Sequence, residues 1–362
     1  MTRSARIFCT CVAFLLLSTL SYGRISRFTP SHTEFFKQAV KEKGLVCAIL
    51  ATTDRVVRDT QIGLAGCHYF REDGLIHEDI FGPMEVSSSF SVFQLDGLVP
   101  RGEYRSLSED EEFIRYLIGN NLSSDAVYYL FGVNIAPSDT LDYYKGLSLY
   151  TSGGLQQASG YFKNVPETST FFEPSVFYAA VCDVYQNNYT EAKSILSTYK
   201  GERVELLNYE LAAISLLEDD REGYKYYSKA FTYSSYTMKD GEKVFDDIYK
   251  QRFVEKGKSP WVAAGLSAVV PGLGKFYVGN YGEGAASLLL GASFTAFAVE
   301  SWVKVGAKDW RTILFTTLAS LLHISNIYGS YISVGLYNDY LKNAQNQTIV
   351  FNIHVPVRSL FK

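Results

Sequence analysis

Apolar residues are unevenly spaced along the chain, and their local period predicts a mainly α-helical protein. Phe35, Phe36, Ala39 and Val40 share one helix face, with Ser31 or Thr33 to cap it and Glu34 in its first turn. Gly44 is placed to stop that helix. A second helix is predicted over 45–58, with Leu45, Val46, Ile49, Leu50, Val56 and Val57 on one side. Two such helices form a hairpin whose apolar stripe must be buried against something else. Gly63, Gly66, Gly74, Gly82, Gly97, Pro83 and Pro100 then punctuate a loop-rich connector, with strand-like composition over 85–95. At the other end, Thr348 to Val357 is rich in β-branched residues and reads as a strand.

The polar, Tyr-rich middle carries a period. Gly146, Ala158 and Phe162 recur as Ala180, Ala192 and Leu196, at an offset of 34. A third copy places Ala212, Tyr224 and Ser228 in the same roles, and an earlier one Ile114 and Ala126. Each copy reads helix, polar turn, helix, with turns at Gly153-Gly154, Asn187-Asn188 and Asp219-Asp220. Small residues let paired helices cross closely. The period and small-residue pattern resemble tetratricopeptide repeats. That resemblance implies a concave face for protein partners, lined by some of Tyr143, Tyr144, Tyr178, Tyr185 and Tyr209. The alternative for each tyrosine is interhelical packing with a hydrated hydroxyl.

Long apolar runs lie at both ends of the chain. Arg3 and Arg6, the uncharged run from Ile7 to Leu20, and Ser21-Tyr22-Gly23 follow the order of a secretory signal peptide. Later runs cover 261–273, 285–303 and 312–337. The first is broken by Pro271 and Gly272, which suits a re-entrant or interfacial piece. The other two are long enough to span, and Lys304, Lys308 and Arg311 between them point to a cytoplasmic loop. Pro271, Gly272, Gly274, Tyr277 and Gly279 form a P-G-x-G-x-x-Y-x-G stretch that resembles a signature of small bacterial membrane-hairpin domains. His323 and Asn326 are polar groups at membrane depth, read either as functional or as interhelical hydrogen-bonding residues.

The N-terminal hairpin resembles the membrane protein insertion efficiency factor (YidD) family. Arg27, Phe28, Pro30 and Ser31 match its opening stretch, Gly44 falls at the expected break, and Arg55 and Arg58 stand in its basic end. Ser26, His32 and Asp59 occupy the places of the three family cysteines. The resemblance covers 24–80 and implies a role in membrane-protein insertion. It also implies a cytoplasmic location, whereas a signal peptide would export this chain.

Composition narrows the function. With 362 residues, 47% hydrophobic and 20% charged, the chain has material for real cores. A net charge of -4 argues against nucleic-acid binding. No hydrolase, zinc-protease or nucleotide-loop motif appears, and Cys67, His68 and His77 match no zinc spacing. No enzyme activity, cofactor, metal or small-molecule substrate is expected. The expected organisation is a signal peptide (1–23), a YidD-like helical domain (24–80), a connector (81–108), tetratricopeptide-like repeats (109–250), a membrane domain forming a transmembrane hairpin (259–340) and a tail (341–362). The expected partners are proteins bound by the repeats and membrane lipid. The expected setting is a bacterial inner membrane with the repeats in the periplasm. The expected function is accessory to membrane-protein insertion or envelope assembly, or that of a membrane-tethered scaffold.

Overall fold

A computed structural model describes residues 28–59, 71–72, 75–77, 95 and 100–361. The expected signal peptide, Arg27, Cys67, His68 and nearly all of the connector's strand-like stretch lie outside them. The described chain is mainly α-helical and divides into two compact units, Met1–Val86 with Gly257–Asn343, and Ser87–Lys256 with Ala344–Lys362.

The first unit opens with a small sheet. Strand β1 (Phe28–Thr29) pairs in parallel with β3 (Leu75–His77), which pairs antiparallel with β2 (Arg71–Glu72). Helix α1 (His32–Arg58) follows. Its start is a capping box: Ser31 Oγ accepts the Glu34 N–H, and Glu34 Oε2 accepts the Ser31 N–H at 3.2 Å. At Gly44 the backbone takes φ 83° and ψ 168°, a region essentially reserved for glycine, which splits α1 into two helical halves.

The rest of this unit is helical. Its helices are α11 (Pro260–Val269), α12 (Leu273–Val278), α13 (Tyr281–Val305) and α14 (Trp310–Leu360). Pro260 sits in the first turn of α11, where its missing N–H costs nothing. At ten residues, α11 extends about 15 Å, half a hydrocarbon core. Among the described residues, one helix, α13, is long and apolar enough to cross a membrane. The second expected span lies within α14, where His323, Ser325, Asn326, Ser330 and Ser333 interrupt the apolar run.

The second unit carries four consecutive helix pairs: α2 (Leu107–Gly119) with α3 (Ser123–Gly132), α4 (Asp139–Thr151) with α5 (Leu155–Lys163), α6 (Phe172–Tyr185) with α7 (Tyr189–Thr198), and α8 (Val204–Leu217) with α9 (Arg221–Tyr227). Helix α10 (Lys239–Tyr249) follows, and a parallel pair of strands, β4 (Arg101–Arg105) and β5 (Val133–Ile135), flanks the first pair. Every pair turns on one left-handed residue: Asn121, Gly153, Asn187 and Asp219. The N–H of the next residue reaches back to the carbonyl of Leu117, Leu149, Asp183 and Ser215 respectively, at 2.8–2.9 Å. This is the 6→1 bond that closes a helix C-terminus. The small positions read from the period are all inside, with Ala126, Ala158, Ala180, Ala192 and Ala212 each 0% exposed. A Cβ on Gly146 would come within 2.9 Å of the Phe162 ring, so α4 and α5 meet there in direct contact.

The tail corrects an expectation. Residues 348–357 are helical, part of α14, and 344–361 belong to the second unit instead of forming a separate tail. Ile349, Ile353 and Val357, four apart, are fully buried in that unit's core, while Phe351 and Val355 stand exposed. The β-branched residues that suggest a strand are there in the sequence. Packing chose the four-residue spacing, as tertiary context overrides β propensity.

Candidate functional site

Two places gather the polar chemistry, one in each unit. In the first unit, the C-terminal half of α1 turns Asp54, Arg55 and Arg58 inward, all at most 3% exposed. Asp54 Oδ1 accepts from Lys275 Nζ at 2.6 Å and Oδ2 from Arg58 Nε at 2.9 Å. Lys275, itself 0% exposed, also donates to Ser287 Oγ. A pair taken out of water needs further hydrogen bonds beside the ion pair itself, and here Arg58 supplies one to the carboxylate and Ser287 one to the ammonium. Arg55 donates to the Pro30 carbonyl at 2.6 Å and lies over the Phe35 ring. Gly329 of α14 completes the site, since a Cβ there would fall 2.0 Å from the Asp54 carboxylate carbon.

The motif residues are thus packing devices. Pro30 and Ser31 position the start of α1, Gly44 bends it, and Arg55 and Arg58 tie its end into the interior. Only the backbone of Phe28 is described, paired with Ile76. His32 and Asp59, standing where the resembled family has cysteines, are joined by a bond of 2.9 Å between Nε2 and Oδ2. Nothing in a spacing of 27 residues announces that contact.

The P-G-x-G-x-x-Y-x-G stretch is a close-packing corner. Gly272 and Gly279 have φ of 88° and 103°. Side chains at Gly272 or Gly274 would strike the carbonyls of Gly284 or Ala263 at 2.1 and 2.0 Å. Pro271 sits against Gly291, and the Tyr277 hydroxyl accepts the Ser259 N–H. Ser267 accepts the Gly274 N–H and bonds Ser330, linking this corner to α14. His323 is half-buried. Asn326 is 4% exposed, with no partner for either amide atom among the described residues. It borders a small cavity with Asp54, Ser287 and Ser325. The space suits about one water molecule, and the polar lining supplies the partners a buried water needs.

In the second unit, the tyrosines expected to line an open face are covered. Tyr144, Tyr178 and Tyr209 are 4%, 2% and 1% exposed, and Tyr185 is half-buried. Tyr144 donates to Glu111 Oε1 at 2.9 Å, and burial pushes its hydroxyl up to about 12. Tyr178 and Tyr209 meet the end of α14. Tyr209 donates to the Asn352 carbonyl at 3.1 Å. Pro356, four residues on, has no N–H for that carbonyl, so the tyrosine replaces the missing helical bond. Tyr178 reaches the Phe361 carbonyl, and burial pushes its hydroxyl up to about 12. Tyr150, not singled out by the sequence, stacks on His354 and bonds its Nδ1. Burial, and then Arg358, hold the His354 imidazole below its ordinary value. Arg252 closes the other end, donating to Gln345 and Asn346 at 2.7 Å each.

Among the described residues, no group of three His, Cys, Asp or Glu is placed to hold a metal ion. The side chain of His77 is outside the description. Cys182 is a free, fully buried thiol that burial pushes well up, and Cys47 is free and half-buried. No family model, curated protein or solved structure matches the chain.

Proposed function

We propose that this chain is a membrane-anchored, non-enzymatic accessory factor for membrane-protein insertion or envelope assembly. The observation that carries the reading is the company α1 keeps. The helix bearing the insertion-factor-like residues belongs to the same compact unit as the apolar helix α13, and a buried ion pair from Asp54 to Lys275 joins it to the P-G-x-G corner. In this reading α13 and the apolar part of α14 form the membrane hairpin, with α11 as a re-entrant or interfacial piece. The helix pairs of the second unit act as tetratricopeptide-like repeats that bind protein partners, and their recurring left-handed turns and buried alanines support that part.

Leu45 and Val46, just beyond the Gly44 bend, are exposed apolar side chains on α1 and the natural place for contact with an inserting segment. A photo-crosslinking residue at either position, in cells making a radiolabelled membrane protein, should trap newly made chains. Crosslinks from the repeats to one stable envelope protein, with none from 45 or 46 to nascent chains, would favour the second reading. That reading is a membrane-tethered scaffold, and the mixed polar and aromatic character of the repeat unit is what favours it.

A further inference from the structure

Four features of the second unit converge on one surface. Helices α4, α6 and α8, the first members of three successive pairs, each present a tyrosine to the end of α14: Tyr150 to His354, Tyr178 to Phe361, Tyr209 to Asn352. The covering segment has Ile349, Ile353, Val357 and Phe361 four apart, and Phe361 stacks on Phe177 at 5.7 Å beneath Arg203. A four-residue spacing drifts about 40° per step on a helix of 3.6 residues per turn, so this stripe winds to follow a curved face. The contacts mix aliphatic burial with hydroxyl, imidazole, guanidinium and amide groups, the composition of an exchangeable interface more than of an obligate core. Two of the three tyrosines bond backbone carbonyls, which any helix broken by proline or ending at that point would offer.

We propose that this tyrosine face is a helix-binding groove, closed by the chain's own C-terminal segment, whose ligand in the open state is an amphipathic partner helix with aliphatic residues four apart and an aromatic one turn beyond. The inference rests on the reading that the helix pairs bind proteins and adds the class of ligand and the device that withholds the site. The resident segment is the template for that ligand. The apolar floor that receives Ile349, Ile353 and Val357 stays covered until a competitor arrives, as the cost of exposing it requires.

The test uses the full chain in detergent with a protease site introduced at the exposed Leu341-Lys342 step. A fluorescent synthetic peptide of residues 344–361 is the probe. Uncut protein should not bind it. Cut protein should exchange its resident segment for it, and a scrambled peptide should fail. Tyr209→Phe and Tyr178→Phe, which remove only a hydroxyl, should each speed the exchange about fivefold with helical content unchanged. Cut protein that stays folded and refuses the peptide overturns the proposal, as does cut protein that unfolds when the segment leaves. Peptide exchange with no nascent-chain crosslinks at 45 or 46 would sink the insertion reading alone, so the two ideas fail separately.

Discussion

Glu210 of α8 is 0% exposed, and neither of its oxygens finds a partner among the described residues. Burial pushes its carboxyl well above the ordinary value, so the folded chain holds a proton there that the unfolded chain releases. The stability this proton supports is full below the ordinary carboxylate range and is lost as pH rises through the raised folded value. His354 works in the opposite sense. Its folded value is depressed, so its contribution is present above the ordinary imidazole value of 6.5 and is lost as pH falls through the folded one. Urea titration of the full chain should therefore show stability falling as pH rises above the ordinary carboxylate range, and Glu210→Gln should flatten that fall while leaving the loss on acidification below 6.5. An unchanged fall in the variant would assign the effect to another group. Neither residue was legible as special in the sequence, because a single glutamate or histidine in a helix discloses nothing of what will cover it.

Legibility was better at the level of elements, and it followed locality. The cap at Ser31, the break at Gly44 and the left-handed backbone at Gly272 are local features, and the residue types declare them. The turns at Gly153, Asn187 and Asp219 were readable for the same reason. The end of α14 was not, since β-branched composition and four-residue apolar spacing coexist there and only the receiving surface decides between them. The inward turn of Arg55 and Arg58 was also hidden, because Arg55 donates to the distant Pro30 carbonyl, and Asp54, the helical neighbour of Arg58, is held inside by the still more distant Lys275. One consequence at this scale is measurable. Gly44→Ala forces a Cβ into a backbone region that costs about 1–3 kcal/mol for other residues. The variant should unfold at lower denaturant by that amount, although space around the position is open. A neutral outcome would mean that α1 straightens there at no cost.

For the whole molecule the informative fact is the division into two units, each built from two separated stretches of chain. The sequence suggested successive domains in line, and the structure returns residues 257–343 to the N-terminal helix and 344–361 to the helix pairs. In the membrane-anchored reading proposed above, orientation follows from charge. Lys304, Lys308 and Arg311 flank the connection between α13 and α14, and positive residues favour the cytoplasmic side. Reporters fused at Asp220 and Phe361 should be active outside the cytoplasm, and one at Lys308 inside. A cytoplasmic Asp220 would reverse the expected export and place the helix pairs where nascent chains emerge.

The contact of His32 with Asp59 has a further consequence. It joins the two ends of α1 through an imidazole and a carboxylate, at the positions where the resembled family has thiols. Thiols couple a hairpin to peroxide and to disulfide exchange, whereas this pair has no sulfur to oxidise. Closure of the hairpin at this contact is therefore indifferent to oxidants, and the same clasp serves in a reducing or an oxidising environment.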